Sequence, residues 1–301
     1  MSWLAAPDDA ATCLVTGASS GIGAAIAREL AARRYGVTLV ARREERLRAL
    51  ASEIASAHSV RAEALPCNLA DARARRALAD RIRALGLRVD VLVNNAGLGS
   101  YGAFVELDPA REVEQVRVMC EAVIDLCGMF VPAMAARRSG GVLIISSALG
   151  FQPAPGYATY GAVKAFSLRF GEALHSELAH SSVAVTTLCP GPVQTDFFSV
   201  NGPQPVQRVI PGRMWRTAEE VARAGVDGLK RNRRVVIPGT AMRILTASGR
   251  LTPRAAQLRL LDMVLRAGAT GINRVAGPTG RWPVGSTGPP TDPDAPIGGK
   301  A

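Results

Sequence analysis

No two of the five cysteines (Cys13, Cys67, Cys120, Cys127, Cys189) form a C-x-x-C pair, and their odd number suggests neither a disulfide framework nor a zinc site. They fit reduced, buried thiols in a cytoplasm, and no metal is expected. The first eleven residues lack a basic start and an apolar core and include Asp8 and Asp9, so a secretory signal is not expected. Long apolar runs are also missing: Ala122 to Ala136 is interrupted by Asp125, and Val183 to Cys189 is far shorter than the roughly 20 residues of a membrane helix. Acidic residues are scarce in one region only. Residues 1–200 carry 20 basic and 19 acidic side chains, residues 201–280 carry 14 and 4, and residues 281–301 carry 2 and 2. Nearly all of the net charge of +11 therefore sits toward the C-terminus. That region has few aromatics and no nucleic-acid-binding motif, so nucleic acid is set aside as a partner. An anionic substrate, an acidic carrier or a membrane surface remains open, as does a solvated basic face in a chain that uses Arg almost everywhere in place of Lys.

What is present is a core. Hydrophobic residues make up 48% and charged residues 20%, a globular composition. Short β-branched runs alternate with Ala/Leu/Arg stretches of helical period, which predicts repeated βαβ units and a doubly wound, mostly parallel α/β sheet. Strands are expected at Thr12–Thr16, Gly36–Ala41, Val60–Leu65, Val89–Asn94, Gly141–Ser146, Val183–Cys189 and Arg234–Ile237. Helices are expected at Ile22–Arg33, Arg43–Ser56, Asp71–Leu85, Asp108–Ala136 and Thr159–His180, with another opening near Thr217 ahead of Glu219 and Glu220. Residues 1–240 read as one catalytic domain with a Pro/Gly-containing lid at about 197–216. Residues 241–275 read as a basic amphipathic extension in which Leu258, Leu261 and Leu265 share a face, and residues 276–301 as a disordered tail.

The first strand runs into Thr16-Gly17-Ala18-Ser19-Ser20-Gly21-Ile22-Gly23 and then a helix, which presents backbone N–H groups and a helix N-terminus to an anion such as a pyrophosphate. The same residues fit the G-x-S-x-G elbow of a hydrolase, but that reading needs a late histidine, and His58, His175 and His180 all precede the end of the sixth strand. The second strand ends at Ala41-Arg42-Arg43, where an NAD site would place a carboxylate; guanidinium groups there favour the 2′-phosphate of NADP(H). Tyr160 and Lys164 share one helical face, where the ammonium is expected to lower the phenol's pKa toward working pH. Ser147, thirteen residues upstream, is placed to polarise the same carbonyl oxygen.

Taken with Asn94-Asn95-Ala96-Gly97 and Pro190-Gly191-Pro192-Val193-Gln194-Thr195, these motifs resemble the short-chain dehydrogenase/reductase family over roughly Ala11 to Val236. The resemblance implies a Rossmann fold and an NADP(H)-dependent oxidoreductase with Ser147, Tyr160 and Lys164 catalytic. It implies a cofactor site of Gly17, Ser19, Ser20, Gly21, Ile22, Gly23, Arg42, Arg43, Asn68, Leu69, Asn95, Ala96, Gly97, Tyr160, Lys164, Pro190, Gly191, Val193 and Thr195. Within it, Ser20 with Arg42 would meet the 2′-phosphate, and Val193 and Thr195 the carboxamide. A homodimer or homotetramer is implied through the helices Asp108–Ala136 and Thr159–His180. The chain departs from the family pattern at Asn68, usually Asp, and at Met119, where the family's fourth catalytic residue is Asn; an altered proton path is expected.

Leu149, Tyr157 and Phe197, with Phe151, Phe198 and Trp215, are expected to line an apolar substrate pocket. The expected function is reduction of a hydrophobic ketone (lipid, acyl or steroid-like) to a secondary alcohol, in a cytoplasmic enzyme that is peripheral to the membrane if the basic region docks there. The alternative is a non-catalytic NADP(H)-sensing protein on the same fold.

Overall fold

The computed structural model describes residues 8–195, 197, 207 and 210–269. The expected tail and most of the expected lid, residues 198–206 and 208–209, lie outside the described residues.

Seven parallel strands form the sheet: β1 (Ala11–Thr16), β2 (Val37–Ala41), β3 (Ala62–Pro66), β4 (Arg88–Asn94), β5 (Gly140–Ile145), β6 (Val183–Leu188) and β9 (Val235–Val236). Their order is β3-β2-β1-β4-β5-β6-β9, so the chain winds outward from β1 in one direction and from β4 in the other. Every residue of β1, β5 and β6 is buried, as expected of strands covered on both faces. One cover consists of α1 (Gly21–Ala32), α2 (Glu44–His58) and α7 (Ala218–Lys230), which contribute Ile26, Leu30, Leu47, Ile54, Val221 and Leu229 to one core. On the other face lie α3 (Ala72–Ala84), α5 (Ala122–Ala136) and α6 (Ala158–Glu177), with Leu78, Leu126, Val131 and Met134 at the centre of a second core. The reversal of strand order at β1/β4 opens a crevice at the carboxyl ends of these strands.

The helix expected over Asp108–Ala136 is not uniform. It begins as α4 (Pro109–Val116), capped by Asp108, passes through a π turn at Arg117–Glu121, and continues as α5. Contrary to the expectation drawn from Asp125, the run Pro109–Ala136 is long and apolar enough to cross a membrane by length and composition alone. Here it lies against the sheet, with Val123, Leu126, Cys127, Val131 and Met134 buried. Asp125 turns toward α3, where its Oδ2 accepts from Arg75 Nε at 2.6 Å. Arg75 is buried and also donates to Glu121 and, at 2.7 Å, to the Leu69 carbonyl. This buried cation ties α3, the π turn and the loop after β3 together.

Helix α7 starts where its signal predicted, with a reciprocal capping box between Thr217 and Glu220. The short pair β7 (Val193–Gln194) and β8 (Arg216–Thr217) brings the two ends of the intervening segment side by side. After β9, the chain forms α8 (Thr240–Leu251), starting at Gly239 (φ +87°), and α9 (Arg254–Ala269). But for Thr240, both fall within the expected extension of residues 241–275, of which only the α9 stretch was expected to carry an apolar face. The inward face of α9 is Gln257, Leu261 and Val264; Leu258, expected on that face, is exposed.

Candidate active site

The turn between β1 and α1 is built so that its backbone comes close to the crevice. Gly17 (φ +65°) and Gly21 (φ +54°) adopt left-handed conformations. A Cβ on Gly17 would come within 2.7 Å of the Ala96 Cα, and one on Gly23 would strike the Gly17 carbonyl. Ser20, the N-cap of α1, makes no side-chain cap bond and the first turn carries no acid, so the helix N–H groups are available to an anion. Asn95 braces the turn by donating through Nδ2 to the carbonyls of Thr16 (2.9 Å) and Gly17 (3.2 Å).

The glycine turn opens into a cavity of about 880 Å³. All the residues expected to bind cofactor line it except Gly23, whose place is beneath the turn, and so do Ser147, Leu149, Tyr157 and Phe197. At the adenine-side end are Asn68, whose Oδ1 accepts from Ala70 N at 3.1 Å, together with Leu69 and Cys67. The two arginines part company. Arg43 donates to the hydroxyls of Ser19 (2.8 Å) and Ser20 (3.0 Å), whereas Arg42 is 58% exposed and pairs with Glu114 at 3.3 Å. Ser20 is therefore grouped with Arg43, not with Arg42 as expected. Two hydroxyls and a guanidinium beside a free helix N-terminus form a donor set suited to a phosphate monoester, and this end of the cavity fits a phosphorylated dinucleotide.

The catalytic candidates meet midway along the cavity. Ser147 follows β5 and caps the 3-10 turn Ala148–Phe151, its Oγ accepting from Leu149 N at 3.2 Å. Tyr160 sits in the first turn of α6 and Lys164 one turn later, with the ammonium 5.6 Å from the phenol ring centroid. Lys164 is buried and donates to the Ile145 carbonyl at 2.9 Å, and the Ser146 hydroxyl donates to the Lys164 carbonyl at 2.7 Å, fixing α6 to the end of β5.

The expected direction of the phenol shift is reversed. Burial pushes the Tyr160 hydroxyl up to about 12, and its hydrogen bond with Ser147 opposes this only in part. Lys164 is itself lowered to about 8 by burial. The desolvation that surrounds both groups disfavours each charged form. A phenol held protonated at neutral pH is set to donate.

Met119 lies in the π turn, buried, with its thioether near Gly97: a Cβ on that glycine would stand 3.5 Å from Met119 Cε. A thioether is a poor hydrogen-bond partner, so the side chain packs here and does not relay protons. One turn before it, the buried Gln115 donates through Nε2 to Ser100 Oγ and Glu112 Oε1, both at 2.9 Å, and Ser100 is on the cavity wall. This polar chain was missed in the sequence because Glu112, Gln115 and Met119 fall on one helical face only once the helix is placed. Also missed were the cavity residues that follow β9, among them Met242, Leu245, Leu261 and Val264.

A parallel sheet with a bare glycine turn at its switch point and a Ser, Tyr and Lys along one cavity defines a nucleotide-dependent oxidoreductase. A family profile described as short chain dehydrogenase matches residues 11–205, and the chain belongs to that family. Among its relatives, the very-long-chain 3-oxoacyl-CoA reductase of Anas platyrhynchos is 35% identical over 204 residues, which span 65% of this chain and 64% of the relative. A short-chain dehydrogenase from Sphingobium yanoikuyae, solved in complex with NADPH, is 30% identical with a TM-score of 0.70, over 89% of this chain and 98% of the other. The bulky-bulky ketone specific alcohol dehydrogenase from Comamonas testosteroni is 27% identical with a TM-score of 0.67, over 90% and 98%.

Proposed function

We propose that this oxidoreductase uses NADP(H) to reduce hydrophobic ketones to secondary alcohols. The observation that carries the reading is that Ser147, Tyr160 and Lys164 line one cavity together with the glycine turn at one end and apolar side chains at the other. When bound, the dinucleotide supplies a hydride to the carbonyl carbon. The protein does the rest. Ser147 hydrogen-bonds the carbonyl oxygen and stabilises the negative charge that grows there, and the Tyr160 Oη–H bond breaks as its proton passes to that oxygen. Lys164 holds α6 in register through Ile145 and presents its Nζ beside the phenol. The relatives named above that act on ketones or 3-oxoacyl groups support this substrate class, and the NADPH-bound neighbour supports the cofactor.

Tyr160→Phe tests the reading. With a panel of aliphatic, steroidal and acyl-thioester ketones, the wild type consumes NADPH and the variant loses on the order of 10²–10⁴-fold in kcat. Calorimetric NADPH affinity is retained in both. A wild type that binds NADPH but turns over no ketone would instead be the non-catalytic sensor.

A further inference from the structure

We infer that α8 and α9 form a specificity roof that holds a long, uncharged apolar arm of the substrate, with Leu261 and Val264 setting the length of arm accepted. The inference rests on the ketone-reductase reading and adds the part of the fold that holds the apolar arm and limits its length.

The roof is fastened at both sides of the catalytic centre. Met242 is buried against Gly191, where a Cβ would come within 2.5 Å of the Met242 Cε. The buried Gln257 donates through Nε2 to Gln152 Oε1 and to the Gly249 carbonyl, both at 3.2 Å. Gln152 follows directly on the turn that Ser147 caps. Substituting a side chain at Gly249 would crowd this junction, since its Cβ would lie 2.9 Å from Gln257 Nε2. The helices α8 and α9 are thereby docked as the wall opposite the glycine turn, not held away from the catalytic domain.

The chemistry of the two ends of the cavity differs. Among the described residues, the charged ones that line it, Arg42, Arg43, Glu114 and Lys164, lie on the glycine-turn side or at the catalytic centre. Toward the roof the described lining is Met242, Leu245, Thr246, Leu260, Leu261 and Val264. The one hydroxyl among these, that of Thr246, is turned back onto its own helix, donating to the Met242 carbonyl at 2.9 Å. A carboxylate, sulfonate or phosphate placed against these six residues would lose its water without gaining a partner from them, which disfavours short anionic carbonyl compounds there. Leu245 and Leu260 are 50% and 55% exposed at the cavity rim. Exposed apolar surface converging on a cavity is stabilised by covering it with more apolar surface, and an alkyl or fused-ring arm of the ketone does this.

The test is a series of straight-chain 2-alkanones with NADPH. For the wild type, kcat/KM rises about fourfold for each added methylene until the roof is filled, corresponding to roughly 0.8 kcal/mol per buried CH2. In Leu261→Trp and Val264→Trp the rise in kcat/KM along the series stops at a shorter chain, and Val264→Ala moves the stop to longer chains. Leu258→Trp, on an exposed residue outside the cavity lining, follows the wild type. Calorimetry of short and long alkyl amides, which are not reduced, reads the roof without turnover. If no ketone reacts, the reductase reading falls, while the roof still stands or falls on whether long amides bind more tightly than short ones in the wild type and lose that advantage in both tryptophan variants. Affinity independent of chain length, or chain-length profiles identical in wild type and roof variants, overturns the inference. Each variant's NADPH affinity reports whether it has folded.

Discussion

At the scale of single residues, Arg43 and Arg42 show how neighbours in sequence divide in space. A guanidinium already held over two hydroxyls meets a 2′-phosphate without losing further side-chain freedom, whereas Arg42 must first leave Glu114 or bring it along. Charge-assisted hydrogen bonds contribute about 1.5–3 kcal/mol. Arg43→Ala is therefore expected to weaken NADPH binding by about tenfold or more, with NADH affinity little changed, and Arg42→Ala to do less; calorimetric Kd values for both nucleotides decide. Equal losses toward the two nucleotides would remove the phosphate from Arg43. Tyr160 carries a different lesson. Helical spacing reveals that a lysine lies one turn away, but not that both groups are shut in together, and it is enclosure that sets their acidity.

Among elements, the seven strands stand within a residue or two of their sequence positions, because short apolar runs alternating with helical stretches mark them at βαβ spacing. The glycine turn, Ser147, Tyr160 and Lys164 were legible for a related reason: their spacing is imposed by backbone geometry. The helices after β9 were harder. Helix α8 carries Thr240, Thr246, Ser248 and Gly249 and starts from a glycine at positive φ, so its propensity is weak and tertiary contacts decide it. The inward face of α9 is centred on a polar side chain, Gln257, whose burial is satisfied by partners 8 and 105 residues away, so the leucine period of this stretch picks a face that includes the exposed Leu258 and omits Gln257. The π turn is equally silent in the sequence, yet the Arg75 cluster anchors it. Asp125 is 32% exposed, so Asp125→Ala is expected to lower unfolding free energy by about 2 kcal/mol, below the 3–5 kcal/mol of a fully buried pair. Urea denaturation measures this, and a loss under about 0.5 kcal/mol would show the network to be ornamental to stability.

For the molecule as a whole, two titrations of opposite sense are built into one site. Burial lowers Lys164 from 10.5 to about 8, so its contribution to stability is present above pH 10.5 and lost as the pH falls through 8. Tyr160 is raised from 10 to about 12, so its contribution is present below pH 10 and lost as the pH rises through 12. Buried thiols such as Cys120, pushed up to about 11, act in the tyrosine's sense above pH 9. The difference in Tm between nucleotide-free wild type and Lys164→Met isolates the lysine. That difference is expected to shift in favour of the wild type as pH rises from 8 to 10.5, and a constant difference would mean that the ammonium is not desolvated. The clasp formed by β7 and β8 has a consequence of another kind. Because Val193 and Arg216 are paired across the ladder, the two ends of the segment between them are held side by side whatever its length. A segment of different length grafted between Thr195 and Arg216 is therefore expected to leave the sheet folded, which circular dichroism of the graft would check.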